Sequence, residues 1–162
     1  RGARATFFVL GSQTRRNPAL GREIVERGHE IGFHGDSHVD PWRTSAERMA
    51  VDFRLGIRII EEATGRRPVA YRPPYGHLRP ALSHLASEYG LPIVMWDVLA
   101  GDFRRNLDPQ RLAARNVRWL TGGSIVVLHD SAGDYALIHL NALLSGVAKK
   151  GLSVVPLTSM IS

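Results

Sequence analysis

The 162-residue chain contains no cysteine. Disulfides, zinc fingers, iron–sulfur clusters and thiol nucleophiles are thereby excluded. Lysine is almost as scarce: of 21 basic residues only Lys149 and Lys150 are lysine, and the rest are arginine. The net charge of +6 is therefore permanent and is carried by planar, bidentate donors. No apolar run approaches the roughly 18 residues that would suggest a membrane span. The arginines stand singly or in pairs (Arg15–Arg16, Arg66–Arg67, Arg104–Arg105), with no basic stripe interleaved with aromatic rings. That pattern argues against nucleic acid and for an anionic polymer or cell surface as the attracted partner. With 44% hydrophobic and 22% charged residues, the chain has an ordinary globular composition.

Short apolar runs alternate with amphipathic stretches closed by glycine, the pattern of repeated β–α units. Ala5–Leu10 reads as a first strand. Asn17-Pro18 caps a helix that stops at Gly28, and Glu30–Phe33 is a second strand. Thr44-Ser45-Ala46-Glu47 has capping-box spacing and opens a long helix ended by Gly65. Further strands are expected at Val69–Tyr71, Leu91–Trp96, Ser124–Leu128 and Leu152–Val155, with helices between them after Arg79-Pro80, after Asp108-Pro109 and from about Asp134 to Lys150. No linker or low-complexity tract interrupts residues 1–162, which read as one domain. Near-continuous apolar strands between helices imply a parallel sheet covered on both faces, either open and doubly wound or closed as a βα barrel. Either closure puts chemistry at the carboxyl ends of the strands.

The residues that follow the strands are the informative ones. His34-Gly35-Asp36-Ser37-His38 follows Phe33, and Arg72-Pro73-Pro74-Tyr75-Gly76 follows Tyr71. Asp97 and Asp102-Phe103 follow Trp96, and His129-Asp130 follows Leu128. The i,i+4 spacing of His34 and His38 puts both imidazoles on one face of a helical turn, where they can share a metal ion. Two prolines fix the turn after Arg72 and turn the Tyr75 N–H toward a ligand. His29, His77, His84 and His139 read as surface or capping residues. Thr121-Gly122-Gly123-Ser124 precedes a strand and reads as a tight turn, not a phosphate loop.

The ordered set His-x-x-x-His, Arg-Pro-Pro-Tyr, Trp-Asp-x-x-x-x-Asp and Leu-His-Asp resembles the polysaccharide deacetylases (NodB homology, carbohydrate esterase family 4). Ala5-Thr6-Phe7-Phe8-Val9 and Gly28-His29-Glu30-Ile31-Gly32 extend the resemblance over nearly the whole chain. It implies an α/β fold, a distorted (β/α) barrel with fewer than eight parallel strands. It also implies metal-dependent removal of acetyl groups from an N-acetylated polysaccharide or oligosaccharide such as peptidoglycan or chitin. One divalent ion is implied, zinc in the first place, with cobalt, nickel or manganese as alternatives. By the resemblance His34 and His38 are metal ligands, Arg72 orients the catalytic base, and Tyr75 offers a backbone N–H to the oxyanion. Asp102 tunes His129, the general acid. Leu128, Phe103 and Trp96 belong to the substrate pocket.

Two departures accompany the resemblance. The family's first motif, Thr-Phe-Asp-Asp-Gly-Pro, carries the general base and the third metal ligand, and no Asp-Asp pair occurs in the sequence. The expectation is an N-terminally truncated domain without its first barrel strand, whose 162 residues alone bind metal weakly and release no acetate. Phe103 stands where the family usually has tryptophan, and Gly35 where a hydroxyl residue is common. An inactive carbohydrate-binding homologue is the alternative reading. An extracellular or cell-envelope location follows from the polymer substrate.

Overall fold

The computed structural model describes residues 2–104, 107–130 and 133–161. Arg1, and Arg105 of the Arg104–Arg105 pair, lie outside the described residues. Contacts gather into two compact units: Gly2–Met95 with the segment from Pro156 onward, and Trp96–Val155. The reading of residues 1–162 as one domain drew no such division.

In the first unit, β1 (Thr6–Val9) runs parallel to β2 (Glu30–Phe33), with Thr6 opposite Glu30 and Val9 opposite Phe33. Parallel bridges join Phe33 to Tyr71 and Tyr71 to Ile93. The runs expected as strands at residues 69–71 and 91–96 thus contribute single bridges. Helix α1 (Gly11–Arg16), which the sequence reading did not contain, precedes α2 (Pro18–Glu26). Asn17 Oδ1 accepts the Leu20 N–H at the start of α2, behind Pro18 at the first helical position.

Helix α3 (Ala46–Thr64) ends at Gly65, whose φ of 65° is the left-handed conformation that glycine adopts at least cost. Its N-cap is Ser45, accepting from the Arg48 N–H, so the expected box is displaced by one residue. Thr44 instead donates its hydroxyl to the Asp40 carbonyl at 2.7 Å. The apolar stripe of α3 (Met49, Phe53, Ile57, Ile60) packs with Phe33, Tyr71 and residues of α4 (Pro80–Glu88) in one core. Burying each such large side chain contributes about 1.5–3 kcal/mol. The short helix α7 (Thr158–Ile161) returns to this unit, where the Leu157 N–H donates to Thr6 Oγ1.

The second unit holds β3 (Val98–Leu99), parallel to β4 (Val126–Val127), with α5 (Pro109–Trp119) and α6 (Asp134–Lys149). Ala113, Leu120, Leu143 and Val147 form its buried cluster. Asp108 caps α5 by accepting the Arg111 N–H at 2.9 Å, as Asp108-Pro109 foretold. The expected strand at residues 152–155 is irregular backbone. Among the described residues no helix is long and apolar enough to cross a membrane. The α/β class and the parallel pairing agree with the sequence reading.

Candidate active site

In the first unit, parallel pairing brings His34 and Arg72 to the same strand end, since each follows one partner of the Phe33–Tyr71 bridge. The His34 N–H donates to the Val9 carbonyl and the Arg72 N–H to the Phe33 carbonyl, fixing both residues to the sheet. The His34 and His38 ring centroids are 5.0 Å apart. The segment between them is a bend, not the expected helical turn, because Gly35 takes a φ of 98°. His34 Nδ1 lies 2.6 Å from the Arg72 carbonyl. A carbonyl only accepts, so Nδ1 carries the hydrogen and the neutral ring's lone pair sits on Nε2, the tautomer of an oriented metal ligand. Among the described residues no group of three histidine, aspartate or glutamate side chains is arranged to hold a metal. This chain's fit to a divalent ion is therefore a pair of imidazoles.

Asp52 of α3 holds that bend, and sequence reasoning missed it. Its carboxylate accepts the Asp36 N–H at 2.9 Å, the Ser37 N–H at 2.9 Å and the Ser37 hydroxyl at 2.6 Å. The available signal was a carboxylate three residues after Met49 and four before Gly56, on the helix face that is otherwise buried. Asp36 itself is buried, with Oδ1 3.7 Å from Arg15. Burial pushes its pKa up, Arg15 pulls it down and Asp52 pushes it up, for a net rise.

Arg72 is buried, with its guanidinium 3.9 Å from the centroid of the Phe8 ring. Nε and one terminal nitrogen donate to the Val94 and Met95 carbonyls at 3.0 and 2.9 Å. Burial lowers its pKa to about 10, so it stays charged at neutral pH. Tyr75 has φ 59° and ψ 1°, a strained setting for a bulky residue and one that recurs at functional sites. The turn's own hydrogen bonds come from Gly76 and His77, whose N–H groups donate to the Pro73 and Pro74 carbonyls and leave the Tyr75 N–H out of the pattern. Tyr75 is 57% exposed, with its ring centroid 4.5 Å from that of His38.

In the second unit, β3 leads to Asp102 and parallel β4 to His129. Asp102 is 1% exposed. Its Oδ2 accepts the His129 N–H at 2.6 Å, and its Oδ1 lies 2.9 Å from His129 Nδ1. Burial raises the Asp102 pKa, but the side-chain and backbone hydrogen bonds from His129 outweigh it and the net shift is downward. An ionised Asp102 therefore fixes hydrogen on Nδ1 and leaves Nε2 of the 42% exposed His129 side chain to exchange a proton with a ligand. The Phe103 ring meets the His129 ring edge-on at 5.2 Å.

The other two residues expected to line the pocket, Leu128 and Trp96, are placed as follows. Leu128 is half-buried and packs against the second unit's core, one residue before His129. Trp96 lies in irregular backbone between the Ile93 bridge and β3, just before the bend at Asp97. A cavity of about 590 Å³, lined by Asp97, Arg115, Trp119 and Ser124 among others, contains none of the expected site residues. It lies toward the amino ends of β3 and β4, opposite the end that carries Asp102 and His129. His139, expected at the surface, is 1% exposed. Its Nε2 is 3.2 Å from Asn116 Nδ2, which also donates to the Ala100 carbonyl at 3.2 Å.

Residues 1–94 match the family model described as polysaccharide deacetylase. The chain is 30% identical to peptidoglycan-N-acetylglucosamine deacetylase of Bacillus cereus, over 98% of this chain and 76% of the relative. Its fold is shared with a family 4 carbohydrate esterase from Streptomyces lividans (TM-score 0.87, 29% identity, 94% of this chain, 78% of that one). It is also shared with a wild-type CE4 family pseudoenzyme from Bacillus anthracis (TM-score 0.91, 25% identity, 99% of this chain, 56% of that one).

Proposed function

The chain belongs to the polysaccharide deacetylase family, and from that premise we propose that it removes acetyl groups from N-acetylglucosamine units of a cell-wall or chitin-like polysaccharide, in a metal-dependent hydrolysis outside the cell or in its envelope. The observation that carries this reading is the Asp102–His129 pair, a buried carboxylate that orients an exposed imidazole. An amine is a poor leaving group, and a positioned, protonated His129 Nε2 is the donor it requires. His34 and His38 would hold the ion, zinc first. When bound, a divalent ion there makes water a nucleophile near neutral pH and polarises the acetyl carbonyl.

Apart from the base carboxylate, which the family carries in its first motif, the remaining roles are those of the protein's own groups. The Tyr75 N–H donates to the developing oxyanion, a contribution of about 2.7–4 kcal/mol when the donor is preorganised. Strain at Tyr75 is consistent with an N–H aimed by its turn. Arg72, fixed by two carbonyls, supplies a rigid positive charge that orients the base carboxylate. Water adds to the carbonyl carbon and gives its proton to that base. The C–N bond then breaks as the nitrogen takes a proton from His129, leaving acetate and the free amine.

The family's base and third ligand belong to an Asp-Asp pair that these 162 residues do not contain. Acetate release from N-acetylglucosamine oligomers is therefore measured with a family first-motif strand, including that pair, joined ahead of Arg1. Zinc-dependent release that disappears in His129→Ala supports the reading. Release unchanged by His129→Ala overturns the role of His129. A second reading, an inactive carbohydrate-binding homologue, is favoured by the likeness to the Bacillus anthracis pseudoenzyme. Oligomer binding without release from the extended chain would select it.

A further inference from the structure

Single exposed aromatic residues are ordinary on protein surfaces. Trp42, 64% exposed, differs in how firmly it is held. Its indole lies flat on the His77 imidazole, with ring centroids 3.6 Å apart and planes 3° from parallel. Asp40 Oδ1 accepts the Trp42 N–H at 2.9 Å and lies 2.7 Å from His77 Nδ1, so one carboxylate fixes both members of the stack. Arg79 donates to the carbonyls of Pro41 and Thr44 at 3.2 and 2.9 Å, tying down the chain on either side of the indole. One ring face is thus covered and braced, while the other is open to solvent.

The stack also connects to the histidine pair. Successive ring centroids run from His77 to Tyr75 at 5.8 Å, from Tyr75 to His38 at 4.5 Å and from His38 to His34 at 5.0 Å. A flat, prepositioned ring loses little freedom on binding and suits a ligand with an apolar face. The C–H face of a pyranose is such a ligand, and a polymer engaged at His34 and His38 carries further pyranoses along the same row of rings. We propose that the open face of Trp42 is a sugar subsite that stacks on a neighbouring unit of the N-acetylated glycan, distinct from the unit whose acetyl group is removed. This rests on the glycan reading above.

The test is calorimetric titration of the full chain with N-acetylglucosamine oligomers of two to six units. Unaltered protein, Trp42→Ala and Trp42→Phe are compared, and far-UV circular dichroism verifies folding. Trp42→Ala is expected to weaken binding of the longer oligomers several-fold to about tenfold and to leave the dimer unchanged. Trp42→Phe should retain most of the affinity, and saturation with the hexamer should perturb tryptophan emission more in unaltered protein than in Trp42→Phe. If unaltered protein binds the oligomers and Trp42→Ala binds every length equally well, the subsite is overturned and the glycan reading stands. If unaltered protein binds none of them, both fall.

Discussion

At the residue scale the polar groups inside each unit are more informative than those on the surface. His139 is buried against Asn116, and burial lowers its pKa while the charge of Asp102 pulls the other way. The unfolded chain takes up this proton near pH 6.5 and the fold resists it, so the unfolded state binds more protons below that point. Stability is therefore complete above about pH 6.5 and declines as pH falls toward the lowered native value. Thermal midpoints measured from about pH 8 down to about pH 5 should show that decline. His139→Gln, which keeps an acceptor for Asn116 but cannot titrate, should flatten it. Asp52 makes a different prediction. Asp52→Ala leaves two backbone N–H groups and a hydroxyl in the 36–37 bend without their acceptor. Each buried group so left costs about 1–3 kcal/mol. Urea unfolding should shift by at least the single-group amount, and zinc affinity, read by competition with a chelating dye, should fall with it because the two histidines lose their fixed spacing.

At the scale of elements, close approach is made by glycine. A Cβ on Gly56 would lie 2.7 Å from the Asp36 nitrogen and 2.7 Å from a ring carbon of Phe33. Helix α3 can press against the His34–His38 bend only because this position is bare. A Cβ on Gly146 of α6 would similarly lie 2.5 Å from a Val117 methyl of α5. The two neighbours differ in compliance: the Gly56 contact includes backbone, which cannot swing aside, whereas Val117 can change rotamer. Gly56→Ala should therefore be the more damaging, beyond the 1–3 kcal/mol typical of overpacking, and Gly146→Ala should stay within that range. Urea midpoints of the two variants check the order.

At the scale of the whole molecule, the prediction concerns charge. The net charge of +6 is carried almost wholly by arginine and does not titrate away in any ordinary buffer. Attraction between exposed charges fades as the Debye length shrinks, from about 10 Å at 0.1 M salt to about 3 Å at 1 M. Retention on an anionic cell-wall polymer should therefore fall steeply as sodium chloride is raised across that range. Binding of neutral N-acetylglucosamine oligomers, which relies on stacking and hydrogen bonds, should change little. Co-sedimentation with the polymer and calorimetry with the oligomer separate the two.

The sequence alone determined the α/β class, the parallel pairing and the placement of His34, Arg72 and His129 just after strand-forming runs. Those follow from local patterns: apolar runs of strand length, Asn17 and Asp108 before helix-starting prolines, and chemistry-bearing residues just after the runs. It also carried the family resemblance, because His34, His38, Arg72, Asp102 and His129 stand in a fixed order along the chain. Other features required tertiary structure. The strands around residues 69–71 and 91–96 shrank to single bridges, because pairing depends on a neighbour's register and not on a run's own composition. The inward position of His139, the brace from Asp52 and the stack of Trp42 on His77 each join residues 15 or more apart in sequence. Periodicity is a local property, and whether a polar side chain faces water or a partner is decided by what the rest of the chain packs against it.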